Sequence, residues 1–68
     1  MNITQMIKFL ITELQKFTDK KLGLYMNKTE CLYALTYDKE KVVHAEKGID
    51  KFICGLQAIL NWKKNLGD

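Results

Sequence analysis

The stretch Leu22-Gly23-Leu24-Tyr25-Met26-Asn27-Lys28-Thr29-Glu30-Cys31-Leu32-Tyr33-Ala34-Leu35-Thr36-Tyr37 decides the fold. Leu22, Leu24 and Met26 alternate along the chain, which puts them on one face of a strand. Cys31–Tyr37 is rich in aromatic and other strand-forming residues and reads as a second strand. The polar run Asn27-Lys28-Thr29-Glu30 between them is a turn. Pairing Met26 with Cys31 sets Leu24 opposite Tyr33 and Leu22 opposite Leu35, so six side chains share one face of an antiparallel hairpin.

Working outward, Asp38-Lys39-Glu40-Lys41 turns the chain again into Val42-Val43-His44-Ala45-Glu46. The parity of that turn is open. An even loop places Val42 and His44 beside Tyr33 and Tyr37, and an odd loop places Val43 and Ala45 there. The odd loop makes the more apolar inner face and is preferred, which leaves His44 on the outer one.

Helices flank this sheet. Asn2 and Gln5 have capping-box spacing, and Ile3, Met6, Ile7, Leu10, Leu14 and Phe17 follow at helical period. The helix is expected to run to Lys20 and Lys21, cations suited to a helix C-terminus, with Gly23 as a break. After Lys47-Gly48, Asp50 opens a second helix whose stripe is Ile49, Phe52, Ile53, Leu56, Ile59 and Leu60, with Gly67 as its expected C-terminal cap. The order α-β-β-β-α with short connections is a two-layer α+β domain over residues 1–68. Its sheet is a three-stranded antiparallel meander with both helices on one face.

Composition narrows the function. Among 68 residues there is no Arg, Ser or Pro and one His, and eleven lysines carry the positive charge for a net +3. Without Ser, a triad is excluded; a Cys–His pair from Cys31 or Cys54 with His44 has no supporting signature. The same three residues lack the two-to-four-residue pair spacing of structural zinc sites, and the four glycines are isolated, so no phosphate loop exists. The expectation is no enzyme, no metal and no cofactor. Both cysteines sit in apolar contexts that suit buried free thiols. Ile3–Phe17 is interrupted by Gln5, Lys8, Thr12, Glu13 and Gln15, and its apolar face is needed for the core. No membrane partner is expected, and the reading is cytoplasmic. Lysine-only usage with abundant Ile, Asn and Tyr resembles the codon bias of an AT-rich genome, such as a low-GC bacterium or its phages.

Surface residues remain. Tyr25, Tyr33 and Tyr37, amid Lys21, Lys28, Lys39, Lys41 and Lys47, have the elements of a nucleic-acid stacking surface. Without Arg the commonest guanine contact is missing, and lysines on sheet edges also block unwanted pairing. Trp62 lies off the apolar stripe of the second helix, near Gly55 and Leu66. It is either an anchor for a partner or dimer, or a cover folded over the first helix.

The opening Met1-Asn2-Ile3, the stretch Asp50-Lys51-Phe52-Ile53 and Trp62, taken with the αβββα order, resemble the small phage and prophage anti-CRISPR proteins that inhibit RNA-guided nucleases. That resemblance implies a non-enzymatic inhibitor that binds a host defence protein. Those inhibitors are strongly acidic DNA mimics and this chain is Lys-rich, so neither acidic mimicry nor any site residue carries over. The reading is therefore a protein-binding module, a phage or mobile-element accessory protein acting on a host or phage protein in a bacterial cytoplasm. Its contact residues are Tyr25, Leu32, Thr36 and His44 on the outer sheet face and edge, with Trp62, Lys28, Lys39 and Lys41. A nucleic-acid-associated protein using the Lys/Tyr surface is the alternative, and a structural homodimer paired through Trp62 or the sheet edge is a third reading.

Overall fold

A computed structural model describes residues 2–39 and 41–66. The chain forms helix α1 (Ile3–Gln15), strands β1 (Leu22–Asn27), β2 (Leu32–Tyr37) and β3 (Lys41–Lys47), and helix α2 (Ile49–Leu66). The strands make an antiparallel meander in the order β1-β2-β3, and the helices cover one face, as the pattern of apolar residues predicts.

Helix α1 begins with the expected capping box. The Asn2 side-chain oxygen accepts from the Gln5 backbone N–H at 2.8 Å, and the Gln5 side chain accepts from the Asn2 N–H at 3.1 Å. The helix then stops at Gln15, short of Lys20 and Lys21. Gln15 itself supplies the reason. Its amide nitrogen donates to the carbonyls of Thr18 and Lys20, and its oxygen accepts the Leu22 N–H at 3.0 Å. One side chain thereby satisfies backbone groups that a continuing helix would have paired.

The β1–β2 hairpin forms with a register two residues from the expected one: Met26 pairs with Tyr33, Leu24 with Leu35 and Leu22 with Tyr37. The connecting loop is 28–31, because Cys31 adopts a left-handed φ of 53° and its N–H bonds back to the Lys28 carbonyl. Cys31 thus belongs to the turn. The shift is even, so each side chain keeps its expected face.

β3 departs further. Leu35 pairs with His44 and Thr36 with Val42, leaving Val43 as the extra residue of a β-bulge. The bulge lets both Val43 and His44 turn toward the helices, while Ala45, opposite Ala34, takes the outer face. The expected inner position of Ala45 and outer position of His44 are therefore both corrected. Neither pure parity holds when one residue is looped out.

Gly48, at a φ of 97°, leads into α2, and the Phe52 N–H bonds to its carbonyl. Gly67 lies outside the described residues. The core joins Ile7, Leu10 and Leu14 of α1, Leu35 of β2, and Phe52, Ile53, Leu56 and Leu60 of α2. Cys31 and Cys54 are free and exposed, not buried as their neighbours suggested: one sits in the hairpin loop and the other on the solvent side of α2. No helix among the described residues is long and apolar enough to cross a membrane.

Candidate partner-binding surface

Three rows of side chains cross the face of the sheet that the helices leave open. Strand pairing aligns Gly23 with Thr36 and Val42, Tyr25 with Ala34 and Ala45, and Asn27 with Leu32 and Lys47. The centre is built of small groups, Gly23, Ala34, Thr36 and Ala45, and the larger Tyr25, Leu32 and Val42 stand around them. The result is a shallow trough of about 820 Å³ whose lining is mainly apolar. Ala34 is buried in its floor, while Val42 is 60% exposed and Tyr25 49% exposed. A Cβ at Gly23 would stand 3.2 Å from the Thr36 hydroxyl oxygen, so a larger residue there would have to push that side chain aside by a few tenths of an ångström.

The rim is basic. Lys21 and Lys39 border the trough, and the strand register puts Lys47 at its far end. Asp38 is the one carboxylate among the lining residues. The only ion pair among the described residues, Lys16 with Glu13, lies on α1, in the other layer. There the Lys16 hydrogen bond, helped by the charges of Lys16 and Lys64, holds the Glu13 carboxyl below its ordinary range against an opposing effect of desolvation.

Of the residues singled out in the sequence, Tyr25, Leu32 and Thr36 come together on this face, with Lys39 beside them. Lys28 sits in the β1–β2 loop, away from the floor. Lys41 leans the other way, with its ammonium 5.7 Å from the Tyr37 ring, a ring that Lys20 also approaches at 4.5 Å. Trp62 is 58% exposed with Lys63 over its ring, and so does not fold over α1 as a core cover. It belongs to the helical layer, and the sheet separates it from the trough.

His44 serves packing. Its ring stacks on Phe52 at 5.6 Å with an 11° interplanar angle, and its Nε2 is buried without a hydrogen-bond partner. Tyr33 stacks on the same phenyl ring at 5.9 Å. The three tyrosines accordingly form no single platform: Tyr25 faces outward, and Tyr33 and Tyr37 face the helices. Among the described residues, no three His, Cys, Asp or Glu side chains assemble in a way that would hold a metal ion.

Gly23, Ala34, Val42 and Ala45 escaped the sequence reading. The alternation Gly23-x-Tyr25 and Leu32-x-Ala34-x-Thr36 carries the signal for the first two. Val42 has the outer parity that the preferred odd loop gives it, and only Ala45 required knowledge of the bulge. Compared with protein-family models, with curated proteins and with solved structures, the chain matches none of them.

Proposed function

We propose that this chain is a non-enzymatic protein-binding module whose docking surface is the open sheet face. The observation that carries the reading is the apolar trough of Tyr25, Leu32, Ala34, Thr36, Val42 and Ala45 with lysines at its rim. A sheet with one apolar face covered and another uncovered lacks its second partner layer. The occupant that fits is an amphipathic helix of a partner protein, laying aliphatic side chains over the small central residues and acidic side chains against Lys21, Lys39 and Lys47. The lysine-only, Asn- and Ile-rich composition and the resemblance to anti-CRISPR proteins favour a phage or mobile-element accessory protein. In that role it binds a host or phage protein, a defence protein foremost, in a bacterial cytoplasm.

A tagged chain, incubated with nuclease-treated low-GC bacterial lysate and washed at high salt, is expected to retain one protein in stoichiometric amount. The double variant Tyr25→Ala, Leu32→Ala should lose that protein while keeping its circular dichroism, and Trp62→Ala should keep it. Retention that follows Trp62 instead would move the surface to α2. Recovery of nucleic acid alone, lost in the salt wash, would replace this reading with the Lys/Tyr surface.

A further inference from the structure

The two edges of the sheet are built differently. β3 carries Lys41, Glu46 and Lys47 and a bulge, devices that discourage another strand from pairing. β1, Leu-Gly-Leu-Tyr-Met-Asn, has no charge, no Pro and no bulge. Three consecutive β1 side chains are open to water: Leu24 (37%), Tyr25 (49%) and Met26 (47%).

We infer that β1 pairs with β1 of a second copy about a twofold axis at Tyr25, joining two sheets into one of six strands. This does not rest on the docking proposed above, although Tyr25 borders both surfaces. The backbone sets the phase. The Asp38 N–H donates to the Lys21 carbonyl, so Lys21, Gly23 and Tyr25 direct their polar groups toward β2. In an antiparallel ladder the alternate residues, Leu22, Leu24 and Met26, direct theirs to the open edge. The Leu22 N–H is already taken by Gln15, which agrees with that phase and leaves Leu24 and Met26 as the residues with both groups free.

Within β1 only an axis at Tyr25 pairs both of them with strand residues and leaves Leu22 out, since an axis at Met26 would pair Leu24 with Lys28 of the loop. With the axis at Tyr25, Leu24 of each copy meets Met26 of the other, and the two pairs exchange four N–H···O bonds. Tyr25 meets its own mate at a site without hydrogen bonds, where cross-strand side chains come closest. On the helix side Leu24 covers Met26 of the second copy, and on the trough side the two tyrosines meet. Charge agrees. This register carries Lys20 and Lys21 toward Glu30 and Thr29 of the second copy, whereas an axis at Leu24 would bring Lys20 toward Lys28 and would require the occupied Leu22 N–H.

Sedimentation equilibrium over a wide concentration range is expected to show mass rising from the 7.9 kDa of one chain to twice that value. Tyr25→Lys, which places two like charges at the axis, should abolish the dimer, and Val42→Lys on the other edge strand should leave it intact. In a Cys31→Ala, Cys54→Ala background, Tyr25→Cys should crosslink to its own mate under mild aerobic oxidation, and Leu24→Cys should not. A monomer at every concentration, a dimer indifferent to Tyr25→Lys, or crosslinking through Leu24→Cys in place of Tyr25→Cys would each overturn the proposal. Circular dichroism of each variant separates lost pairing from lost folding.

Discussion

The two faces of the sheet are made from the same three strands and obey different rules. On the helix side, Leu35 and Phe52 are sealed, and His44 fills the gap between β3 and α2 so closely that its ring excludes a side chain at position 55. On the open side, small residues leave a trough, and the larger side chains around it remain wet. Stability therefore resides on one face, and the other is left open, as the proposed docking requires. For a chain of this size, a single core supplies only about 3–5 kcal/mol, so the sealed face has little reserve.

Truncating each face tests the difference at its widest. Phe52→Ala removes a fully buried ring that also supports Tyr33 and His44, and should cost about 3–5 kcal/mol, enough to unfold the chain at room temperature. Val42→Ala on the open face should stay within about 0.5 kcal/mol of the wild type. Urea melts followed by circular dichroism measure both. Comparable losses from the two variants would erase the distinction between the faces.

A sharper probe is a sign reversal at Gly55. A Cβ there would overlap Nε2 of His44, so Gly55→Ala must displace the ring and should cost about 1–3 kcal/mol. With His44→Ala in place the obstruction is gone, and the same change should stabilise α2 by about 1 kcal/mol, the ordinary helical preference for Ala over Gly. Denaturation of the four proteins in the cycle gives the coupling directly. A stabilising Gly55→Ala in the wild-type background would mean that His44 does not occupy that gap.

The same positions explain what the sequence discloses and what it hides. The αβββα order, both apolar stripes and the Asn2–Gln5 cap are legible because each rests on local periodicity or on one short-range bond. The β1–β2 faces are legible for a similar reason, since an even slip preserves them. The slip itself came from Cys31, a non-glycine residue in the left-handed region, which propensity assigns to the strand. The expected outer place of His44 fails because a bulge adds one residue to β3 without a sequence mark, and the place of Ala45 in the trough is hidden with it. The early end of α1 depended on Gln15 bonding to Lys20 and Leu22, contacts that appear only once the chain has turned.

That turn supplies a smaller effect on the sealed side. Gln15→Ala deprives the half-buried Leu22 N–H of its acceptor, and the Thr18 and Lys20 carbonyls of a donor. The cost should be about 1 kcal/mol, most of it from the half-buried donor left unpaired. Hydrogen exchange locates it: the Leu22 amide should lose protection while Leu35, in the central strand, keeps its own. Equal loss at both would show a global change, and no loss at Leu22 would remove Gln15 from the role of holding the turn.

The smallest effect expected belongs to the water-facing side of the helical layer, which neither seals the core nor forms the trough. The Glu13 carboxyl is held below its ordinary 4.5, first by the hydrogen bond from Lys16 and then by the charges of Lys16 and Lys64. A carboxyl depressed in the folded state contributes stability above its unfolded pKa and loses that contribution as the pH falls through the folded one. The gain is slight, because the Lys16 partner is open to solvent and a carboxylate in the last turn of α1 opposes the helix dipole. Glu13→Gln should therefore melt marginally below the wild type at pH 7, and the gap should close as the pH falls below 4.5. A gap that widens in acid would mean that the carboxyl is held above its ordinary range, with desolvation outweighing both lysines.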